Sequence, residues 1–399
     1  MRSVDAHLRA ILELVALAHP TPRTESVRLS DAAGRVTGSA HVAASPSPPF
    51  DNSAMDGFAV RAVDLARASD AAPVNLRVVG EARAGHAATA TIEPGTAIRI
   101  MTGAPIPHGA DAVVAQELVV AQEGAAQFAA AAAPGAHVRR AGEDVRAGDL
   151  VLAAHVKVSA RHLAALASAG LSNVSVQLKP RVGYLVTGDE LVAPGQPLGP
   201  AQIFDSNAIY LRAALCALGA EAIDLGRCGD DPAAVRAIVE RAAVDLVVTT
   251  GGASVGEHDP VKAGLAPVGV EFVNVAMQPG KPQGAGLVAG KPVVCLPGNP
   301  VAVAVSVEMF VGPAVRAMLS LAEPPWQTAR AAASWNCPVG RDQLVPVVFE
   351  GADVVPATSG GSGSHLVARL GAADALAWVA ADVQRVSSGD TVRVRRFIT

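Results

Sequence analysis

The chain has 399 residues, of which 50% are apolar and only 3% aromatic, and its net charge at pH 7 is −4. A chain of this length is expected to form roughly two to four domains, and their cores must consist mainly of Ala, Val and Leu. No basic excess is available to bind a nucleic-acid backbone, so a nucleic-acid partner is not expected.

The cysteines and the apolar segments give no sign of an extracellular or membrane protein. The four cysteines lie far apart and form no C-x-x-C or Cys/His pattern, so neither a zinc site nor a disulfide framework is predicted. Charges interrupt the apolar pattern of the first twenty residues, which argues against a signal peptide. The apolar run VAVAVSV (301–307) stops at Glu308, short of the ~18 residues of a membrane span. We therefore expect a soluble, reduced, cytoplasmic protein with no membrane partner.

The first 180 residues predict two short helices and many short strands. Apolar side chains at helical spacing predict a helix over 4–18, with Ser3 as a suitable cap, and a second helix is predicted over 159–170. Residues 45–147 contain β-rich runs separated by Gly and Pro, which predict strands and turns. The alanine-rich segment 121–136 is expected to form an exposed hairpin or loop.

From residue 181 onward, strand-like and helix-like segments alternate. This alternation predicts a doubly wound α/β domain over about 181–320. After the linker AEPPWQ (322–327), short strands and Gly/Ser-rich turns predict a small all-β module. The strand-like runs of the α/β domain are RVGYLVT (181–187), EAIDLGRC (221–228), VDLVVTT (244–250), VEFVNVAM (270–277) and KPVVCLP (291–297).

Four loops rich in Gly, Pro and acidic residues follow strands of the α/β domain. In an open α/β sheet, ligands bind beyond the carboxyl ends of the strands, where these loops would converge. Main-chain N–H groups of a Gly-Gly turn and of a helix start bind anions, and neighbouring carboxylates suit a divalent metal that bridges to phosphate. Taken singly, each loop also has a purely structural explanation: a tight turn is as good an explanation for Gly-Gly, and a helix cap is the better one for DDP. The loops are TGDE (187–190), CGDDP (228–232), TTGGASVGEHD (249–259) and LPGNPVA (296–302).

A series of motifs, in order along the chain, resembles the MoeA family of molybdopterin molybdenumtransferases, to which domains of gephyrin and of plant Cnx proteins are related. The resemblance extends over nearly the whole chain. Its motifs are PPFDNSAMDGFAVRA (48–62), IRIMTGAPIPHGADAVV (98–114), VRRAGEDV (138–145), VTGDEL (186–191), QIFDSN (202–207) with GDDP (229–232), TTGGASVGEHD (249–259), QPGKP (278–282) and LPGNPVA (296–302).

The resemblance implies a multidomain α/β and β protein that forms an elongated homodimer. Its parts would be a MogA-like doubly wound α/β domain, β-rich N-terminal domains and a small C-terminal β-barrel. The active site would be a cleft between domains 3 and 4 of one subunit and domain 2 of the other. The implied boundaries are 1–45 with 148–180 for domain 1, 46–147 for domain 2, 181–324 for domain 3 and 325–399 for domain 4.

The implied reaction uses adenylylated molybdopterin and molybdate. The adenylate is hydrolysed in a step that needs a divalent cation such as Mg²⁺, molybdenum remains on the dithiolene, and AMP is released. A MogA-type adenylyltransferase and molybdoenzyme chaperones are further partners that the resemblance suggests.

The resemblance also assigns roles to individual residues. Asp56 and Thr102 would reach across the dimer, and Asp259, supported by Asp230, would hold the metal directly or through water. Asp51 is expected only to shape its loop as a hydrogen-bond acceptor. The expected catalytic residues are Asp56, Thr102, Asp144, Glu190, Asp230 and Asp259. The expected substrate-binding residues are Ser206, Asn207, Gly251, Gly252, Ser254, Lys281, Pro297, Gly298, Asn299, Pro300, Arg341, Ser364 and His365.

The chain departs from the family pattern near Lys281, which resembles a lysine of the molybdate pocket. Gln278 stands where many relatives have Lys, and QGAG (283–286) replaces a TFAF-like run and is expected to be smaller and looser. A second arginine often found in domain 4 is replaced by Val345 and Pro346. These changes put the affinity for molybdate in question and leave open whether this copy is the main enzyme or a paralogue.

Two other functions are compatible with parts of the sequence. A pterin-binding or scaffold protein would bind the pterin without releasing AMP, although it would have little need of the acidic set. A MogA-type adenylyltransferase would fit the α/β loops, but such a protein lacks the N-terminal 180 residues and the C-terminal β module.

Overall fold

The computed structural model describes residues 1–86, 90–252, 259–358 and 367–398. The chain divides into two units, of which the first comprises Met1–Glu25, Gly34–Gly38 and Gln177–Thr399 and the second Ser26–Ala33 and Ser39–Val176. The first unit contains an α/β domain and a β-barrel, and the second is rich in β-structure, which confirms the predicted fold class. The predicted boundaries of four separate domains stay a prediction.

A six-stranded sheet forms the centre of the α/β domain. Its first four strands in spatial order are parallel, and the fifth runs antiparallel to both of its neighbours. Helices cover both faces, so the central strands are buried and almost continuously apolar. In spatial order the strands are Glu221–Cys228, Arg181–Thr187, Leu246–Thr250, Lys291–Leu296, Pro282–Val288 and Val270–Asn274.

The helices of this domain mostly begin where capping residues predict. The N-terminal helix has its predicted bounds, Val4–Ala18, and the Ser3 hydroxyl accepts a hydrogen bond from the Ala6 N–H over 3.2 Å. The other helices are Asn207–Ala217, Pro232–Arg241, Pro260–Leu265 with the 3₁₀ turn Ala266–Val268, Pro300–Ser306 and Gly312–Met318, the last two joined by the π-helical segment Val307–Val311.

The helical run Pro300–Met318 is long enough and apolar enough to cross a membrane, with a mean hydropathy of 1.6. However, 89% of its most apolar window is buried inside the protein. Its side chains Val303, Val305 and Phe310 belong to the main hydrophobic core. The run is therefore the core helix of the α/β domain.

The C-terminal part of the first unit is a closed five-stranded β-barrel, as predicted. Its strands, in order around the barrel, are Asp342–Glu350, Asp353–Pro356, Gln327–Ala331, Thr391–Arg396 and Ala375–Val379, and the last pairs with the first. A short strand of the α/β domain, Met277–Gln278, adds to this sheet beside Asp342 and Gln343. This part of the chain also contains the paired strands Trp335–Asn336 and Arg385–Val386 and the helix Val367–Leu370. The α/β domain has one further strand pair, Leu191–Val192 with Ile203–Phe204.

The second unit contains another six-stranded sheet and the predicted second helix, Ala160–Ser168. In spatial order its strands are Ala112–Ala115, Gly57–Val60, Thr96–Ile100, Val74–Ala82, Ala125–Phe128 and Val119–Gln122. Smaller elements are the paired strands His41–Val42 with Leu150–Leu152 and Asn52–Ser53 with Val138–Arg139, and the 3₁₀ turns Leu29–Asp31, Ala62–Leu65 and Gln116–Leu118. The chain passes between the units four times: within the strands Thr24–Arg28 and Asn173–Gln177, and on either side of Gly34–Gly38.

The alanine-rich segment 121–136 was expected to be exposed, and this is wrong for its aromatic residue. The strands Val119–Gln122 and Ala125–Phe128 form the predicted hairpin. Phe128, however, is only 1% exposed and packs edge-on against Phe58, with 6.0 Å between the ring centroids. In a core of small side chains, the few aromatic rings fill the space that alanine leaves.

The expectation that QGAG (283–286) is loose is also wrong. These residues lie in the strand Pro282–Val288 and are buried. A Cβ atom on Gly284 would lie 2.8 Å from the Phe272 ring, and one on Gly286 would lie 2.1 Å from the Gly269 carbonyl oxygen. The glycines are therefore required by close packing between neighbouring strands.

Candidate functional site

A pocket of about 310 Å³ lies beyond the carboxyl ends of the parallel strands. The loops that follow these strands converge there, as the alternation of strands and helices predicted. A segment that sequence reasoning did not assign to the site, 203–205, adds another wall. The lining residues are Thr187, Gly188, Glu190, Leu191, Ile203, Phe204, Asp205, Ser206, Asn207, Asp230, Gly251, Gly252, Gly298 and Pro300.

Three glycines form what we call the glycine floor: Gly251, Gly252 and Gly298. Gly251 and Gly252 have φ angles of +85° and +62°, which glycine adopts without strain. A Cβ atom on Gly251 would lie 2.4 Å from the Thr187 carbonyl oxygen, and one on Gly298 would lie 3.3 Å from the Gly251 Cα. Strands and loops meet backbone to backbone here, which leaves room for a phosphate to approach the main chain.

Asn207 holds the floor together from below. Its side chain is 6% exposed, and its Nδ2 donates hydrogen bonds to the Thr250 hydroxyl at 3.0 Å and to the Gly298 carbonyl at 2.8 Å. The Thr250 hydroxyl in turn donates to the Pro297 carbonyl over 3.1 Å. Both hydrogens of the amide are used inside the protein, so Asn207 positions the loop that lines the pocket. Asn207 itself lines the pocket, and its predicted contact with substrate stays a prediction.

The wall formed by 203–205 combines exposed apolar side chains with a buried carboxylate. Ile203 and Phe204 are 54% and 46% exposed. Asp205 is 1% exposed; its Oδ1 accepts from the Ala208 N–H at 3.0 Å, and its Oδ2 lies 3.2 Å from the Arg227 Nε. Asp205 thereby fixes the start of the helix Asn207–Ala217. The sequence signal for this wall was the motif QIFDSN (202–207), in which two apolar residues precede an Asp-Ser cap.

Acidic side chains are concentrated on one side of the pocket. Glu190 and Asp230 line it and are exposed. Asp231 caps the next helix, since its Oδ1 accepts from the Ala233 N–H at 2.9 Å. Burial, together with the carboxylates of Asp231, Asp189 and Asp230, raises the pKa of the Cys228 thiol at the end of its strand. This side of the pocket therefore favours cations.

Asp259 lies directly beside the glycine floor. It is 7% exposed and caps the helix Pro260–Leu265, where its Oδ1 accepts from the Lys262 N–H over 3.3 Å. The same oxygen lies 3.0 Å from the position of a Cβ atom on Gly252. In the part of the chain that the structure describes, no group of three or more His, Cys, Asp or Glu side chains forms a ready metal centre.

Several predicted residues lie away from this pocket or outside the described residues. Lys281 is exposed directly before the strand Pro282–Val288, Arg341 is half-buried directly before the barrel strand Asp342–Glu350, and neither lines the pocket. Asn299 is the cap residue of the helix Pro300–Ser306, and Pro297 is buried beneath the floor. The predictions for Ser254, Ser364 and His365 fall outside the described residues.

In the second unit, two aspartates of one loop have different surroundings. Asp51 accepts from Arg140 Nη1 at 2.6 Å and from the Ala141 N–H at 2.8 Å, so it is a hydrogen-bond acceptor as predicted and fastens the loop to a neighbouring segment. That its role is only structural stays a prediction. Asp56 is exposed, and its Oδ1 accepts from both the N–H and the hydroxyl of Thr102, each at 2.7 Å. These bonds lower the pKa of Asp56, the N–H contributing most, so the carboxylate is kept ionised. Asp144 is also exposed.

Three family models together match most of the chain. Residues 2–170 match the MoeA N-terminal region, described as domains I and II. Residues 183–317 match a probable molybdopterin binding domain, and residues 328–397 match the MoeA C-terminal region, described as domain IV.

Individual relatives match over nearly their full length. Molybdopterin molybdenumtransferase 2 of Mycobacterium tuberculosis is 41% identical, over 99% of each chain. The molybdopterin molybdenumtransferase of Haemophilus influenzae is 36% identical, over 100% of this chain and 99% of its own. The crystal structure of a molybdopterin biosynthesis MoeA protein from Pyrococcus horikoshii superposes with a TM-score of 0.85 at 33% identity, over 98% of each chain. The chain therefore belongs to the MoeA family of molybdopterin molybdenumtransferases.

Proposed function

We propose that this protein is a molybdopterin molybdenumtransferase that inserts molybdenum from molybdate into adenylylated molybdopterin and releases AMP. The observation that carries the proposal is the pocket itself, in which a main-chain floor lies beside the Glu190 and Asp230 carboxylates. Relatives named for this activity match the whole chain at 36–41% identity.

The floor suits the anionic part of the substrate. Main-chain N–H groups of Gly251, Gly252 and Gly298, together with the start of the helical run at Pro300, provide donors and a positive dipole end toward a phosphate. These groups would hold the pyrophosphate that joins the pterin to adenosine and orient the phosphorus–oxygen bond that water cleaves, which leaves one phosphate on the pterin and releases AMP. The apolar wall at Ile203 and Phe204 would face the flat pterin ring.

The carboxylates suit a divalent cation such as Mg²⁺. Mg²⁺ commonly takes one or two protein carboxylates and completes its shell with substrate phosphates and water, so a three-residue centre is not required. We assign Asp230, at the pocket wall, and Asp259, beside the floor, to this cation. When bound, the cation would neutralise the charge that develops on the phosphate during cleavage. Lys281 is assigned to molybdate, whose double negative charge requires a cationic partner.

We further propose that the protein acts as a cytoplasmic homodimer in which Asp56 and Thr102 of one subunit complete the pocket of the other. What supports this is the exposed, ionised Asp56 carboxylate, held rigidly by Thr102. An exposed carboxylate fixed by two hydrogen bonds is well prepared to meet a cationic or donor group of a partner molecule.

The enzymatic proposal is tested by measuring AMP release from adenylylated molybdopterin with molybdate and Mg²⁺. The wild-type protein should release AMP and yield active cofactor, while Asp259→Ala should reduce turnover at least about 100-fold with pterin binding retained. Tight pterin binding by the wild-type protein without AMP release would contradict the enzyme assignment and favour a carrier. Consumption of ATP with unmodified pterin would instead indicate adenylylation.

Mixing two inactive variants tests the shared site. If each pocket uses Asp56 of one subunit and Asp259 of the other, exchange between Asp56→Ala and Asp259→Ala dimers creates heterodimers with one intact pocket. About a quarter of the wild-type activity should return after complete random exchange. No recovery, despite exchange shown by mass spectrometry of differently tagged subunits, would rule out the shared arrangement.

A further inference from the structure

The loop that carries Lys281 is tightly closed. The Val275 N–H donates a hydrogen bond of 2.7 Å to the Lys281 carbonyl, so the ends of the segment 275–281 meet. Gly280 is buried and has a φ angle of +101°, whereas Lys281 is exposed. The backbone of the loop is thus fixed inside the protein while the lysine side chain faces solvent.

Gln283 holds this loop from within. The side chain is 0% exposed, and its Nε2 donates to the Gly280 carbonyl and to the Ser306 hydroxyl, each at 2.8 Å. Both hydrogens of the amide are therefore used. Hydrophobic replacements of similar volume would leave the buried Gly280 carbonyl and the Ser306 hydroxyl without this donor.

These two bonds connect the loop to the wall of the pocket. Ser306 is the last residue of the helix Pro300–Ser306, and Pro300 at its start lines the pocket. The fit is close, since a Cβ atom on Gly280 would lie 3.3 Å from both Gln283 Nε2 and Ser306 Oγ. Gln283 thus joins the residue before Lys281 to the helix whose start binds the substrate phosphate in the proposed function.

We propose that Gln283 is a positioning residue for molybdate: it fixes the Lys281 loop against the pocket helix and so sets the affinity for the oxyanion. The inference rests on the proposed function, which assigns molybdate to Lys281. Charge-assisted hydrogen bonds depend steeply on geometry, and a misplacement of about 1 Å at a site can cost roughly 100-fold. Gln283, two residues after Lys281, is therefore placed to change the affinity for molybdate without changing the affinity for adenylylated molybdopterin.

The test compares Michaelis constants for the two substrates. Gln283→Leu should raise KM for molybdate about tenfold, with kcat at saturating molybdate and KM for adenylylated molybdopterin within about twofold of wild type. Ser306→Ala removes one of the two bonds with a smaller change of volume, and should raise the same KM about threefold. This milder variant keeps the test informative if Gln283→Leu does not fold.

Lysine variants test separately whether Lys281 binds molybdate and whether Gln283 acts through Lys281. Lys281→Met should raise KM for molybdate, whereas Lys291→Met, which removes an equal charge that bonds the Glu240 carbonyl, should not. The double variant Lys281→Met/Gln283→Leu should be no worse than Lys281→Met, because Gln283 acts through that lysine.

Two results would overturn the inference, and they are distinguishable. A raised KM in Lys281→Met with unchanged KM in both Gln283→Leu and Ser306→Ala would remove the positioning role alone. An unchanged KM for molybdate in Lys281→Met would remove the assignment of molybdate to this lysine, and the role of Gln283 with it.

Discussion

The glycine floor of the pocket and the loop 48–60 of the second unit both hold backbone in a fixed position, but by different means. In the floor, main chains touch because side chains are absent, as at Gly251 against the Thr187 carbonyl. In the loop, the side chains of Asp51 and Asp56 accept hydrogen bonds from neighbouring segments. At Gly251 the first arrangement tolerates no added atom, whereas the second tolerates changes of shape as long as the Asp51 acceptor remains.

The largest expected effect is that of Gly251→Ala. The new methyl group would lie 2.4 Å from a carbonyl oxygen at a φ angle of +85°, so we expect a loss of about 3 kcal/mol or more in the free energy of unfolding. Gly195→Ala is the matched control, since Gly195 has a φ angle of +89° but nothing within 4 Å of its Cβ position. It should cost only about 1 kcal/mol. If denaturant titrations gave equal losses in the free energy of unfolding for the two variants, the positive φ angle alone, and not the close contact, would explain the need for glycine at position 251.

Asn207→Ala should have the next largest effect, because the floor does depend on this one side chain. Removing the amide leaves the Thr250 hydroxyl and the Gly298 carbonyl without their donor, at a cost of about 2–3 kcal/mol. The control Asn173→Ala removes an exposed amide that bonds a neighbouring Ser172 hydroxyl at 3.2 Å, and should cost less than about 0.5 kcal/mol. If Asn207→Ala were as stable as the wild-type protein, the glycine contacts alone would be enough to hold the floor in place.

The smallest expected changes in stability are those of the two aspartates of the loop, which should differ in their effects on stability and on activity. Asp51→Ala should cost about 1 kcal/mol in stability and little activity, since its bonds to Arg140 and Ala141 are partly exposed to solvent. Asp56→Ala should leave the unfolding midpoint unchanged and reduce AMP release strongly. The reverse pattern in paired denaturation and activity measurements would refute the distinction between them.

The pH dependence of the Asp51 effect gives a further check. The Ala141 N–H and the Arg140 guanidinium lower the pKa of Asp51 below its ordinary value of 3.8. A lowered pKa means that the stabilisation is present above that value and is lost as pH falls through the folded pKa. The stability difference between wild type and Asp51→Asn should therefore be constant from pH 7 to about 5 and shrink below pH 4. A difference that grows in acid would contradict this explanation.

The sequence predicted the floor and the acidic side of the pocket for a clear physical reason. Parallel strands end at one edge of a sheet, so loops far apart in the chain, such as those of Asp230, Gly251 and Gly298, had to meet. The wall at 203–205 could not be found in this way, because strands of two residues carry no periodicity. The strand Pro282–Val288 was missed because its glycines lower β-propensity, and only the neighbouring strands reveal why small residues are needed there.

The structural role of Asn207 was missed for a related reason. A motif shows that an amide belongs near the pocket but not which way its donors point. The same holds for Gln283. The sequence predicted loose packing at this residue, but its side chain is hydrogen-bonded to the loop that carries Lys281 and to Ser306. Buried polar side chains depend on partners distant in the chain, and those partners are defined only in the folded protein.

The short strand Met277–Gln278 limits how far this protein can be treated as a set of exchangeable modules. Because this strand of the α/β domain pairs with Asp342 and Gln343, part of the barrel's sheet is supplied by chain that precedes the linker. A fragment that starts at residue 325 would leave those main-chain donors and acceptors as an open edge, prone to self-association. Recombination or insertion in this family is therefore expected to carry residues 275–281 together with the barrel, whatever happens to the linker between them.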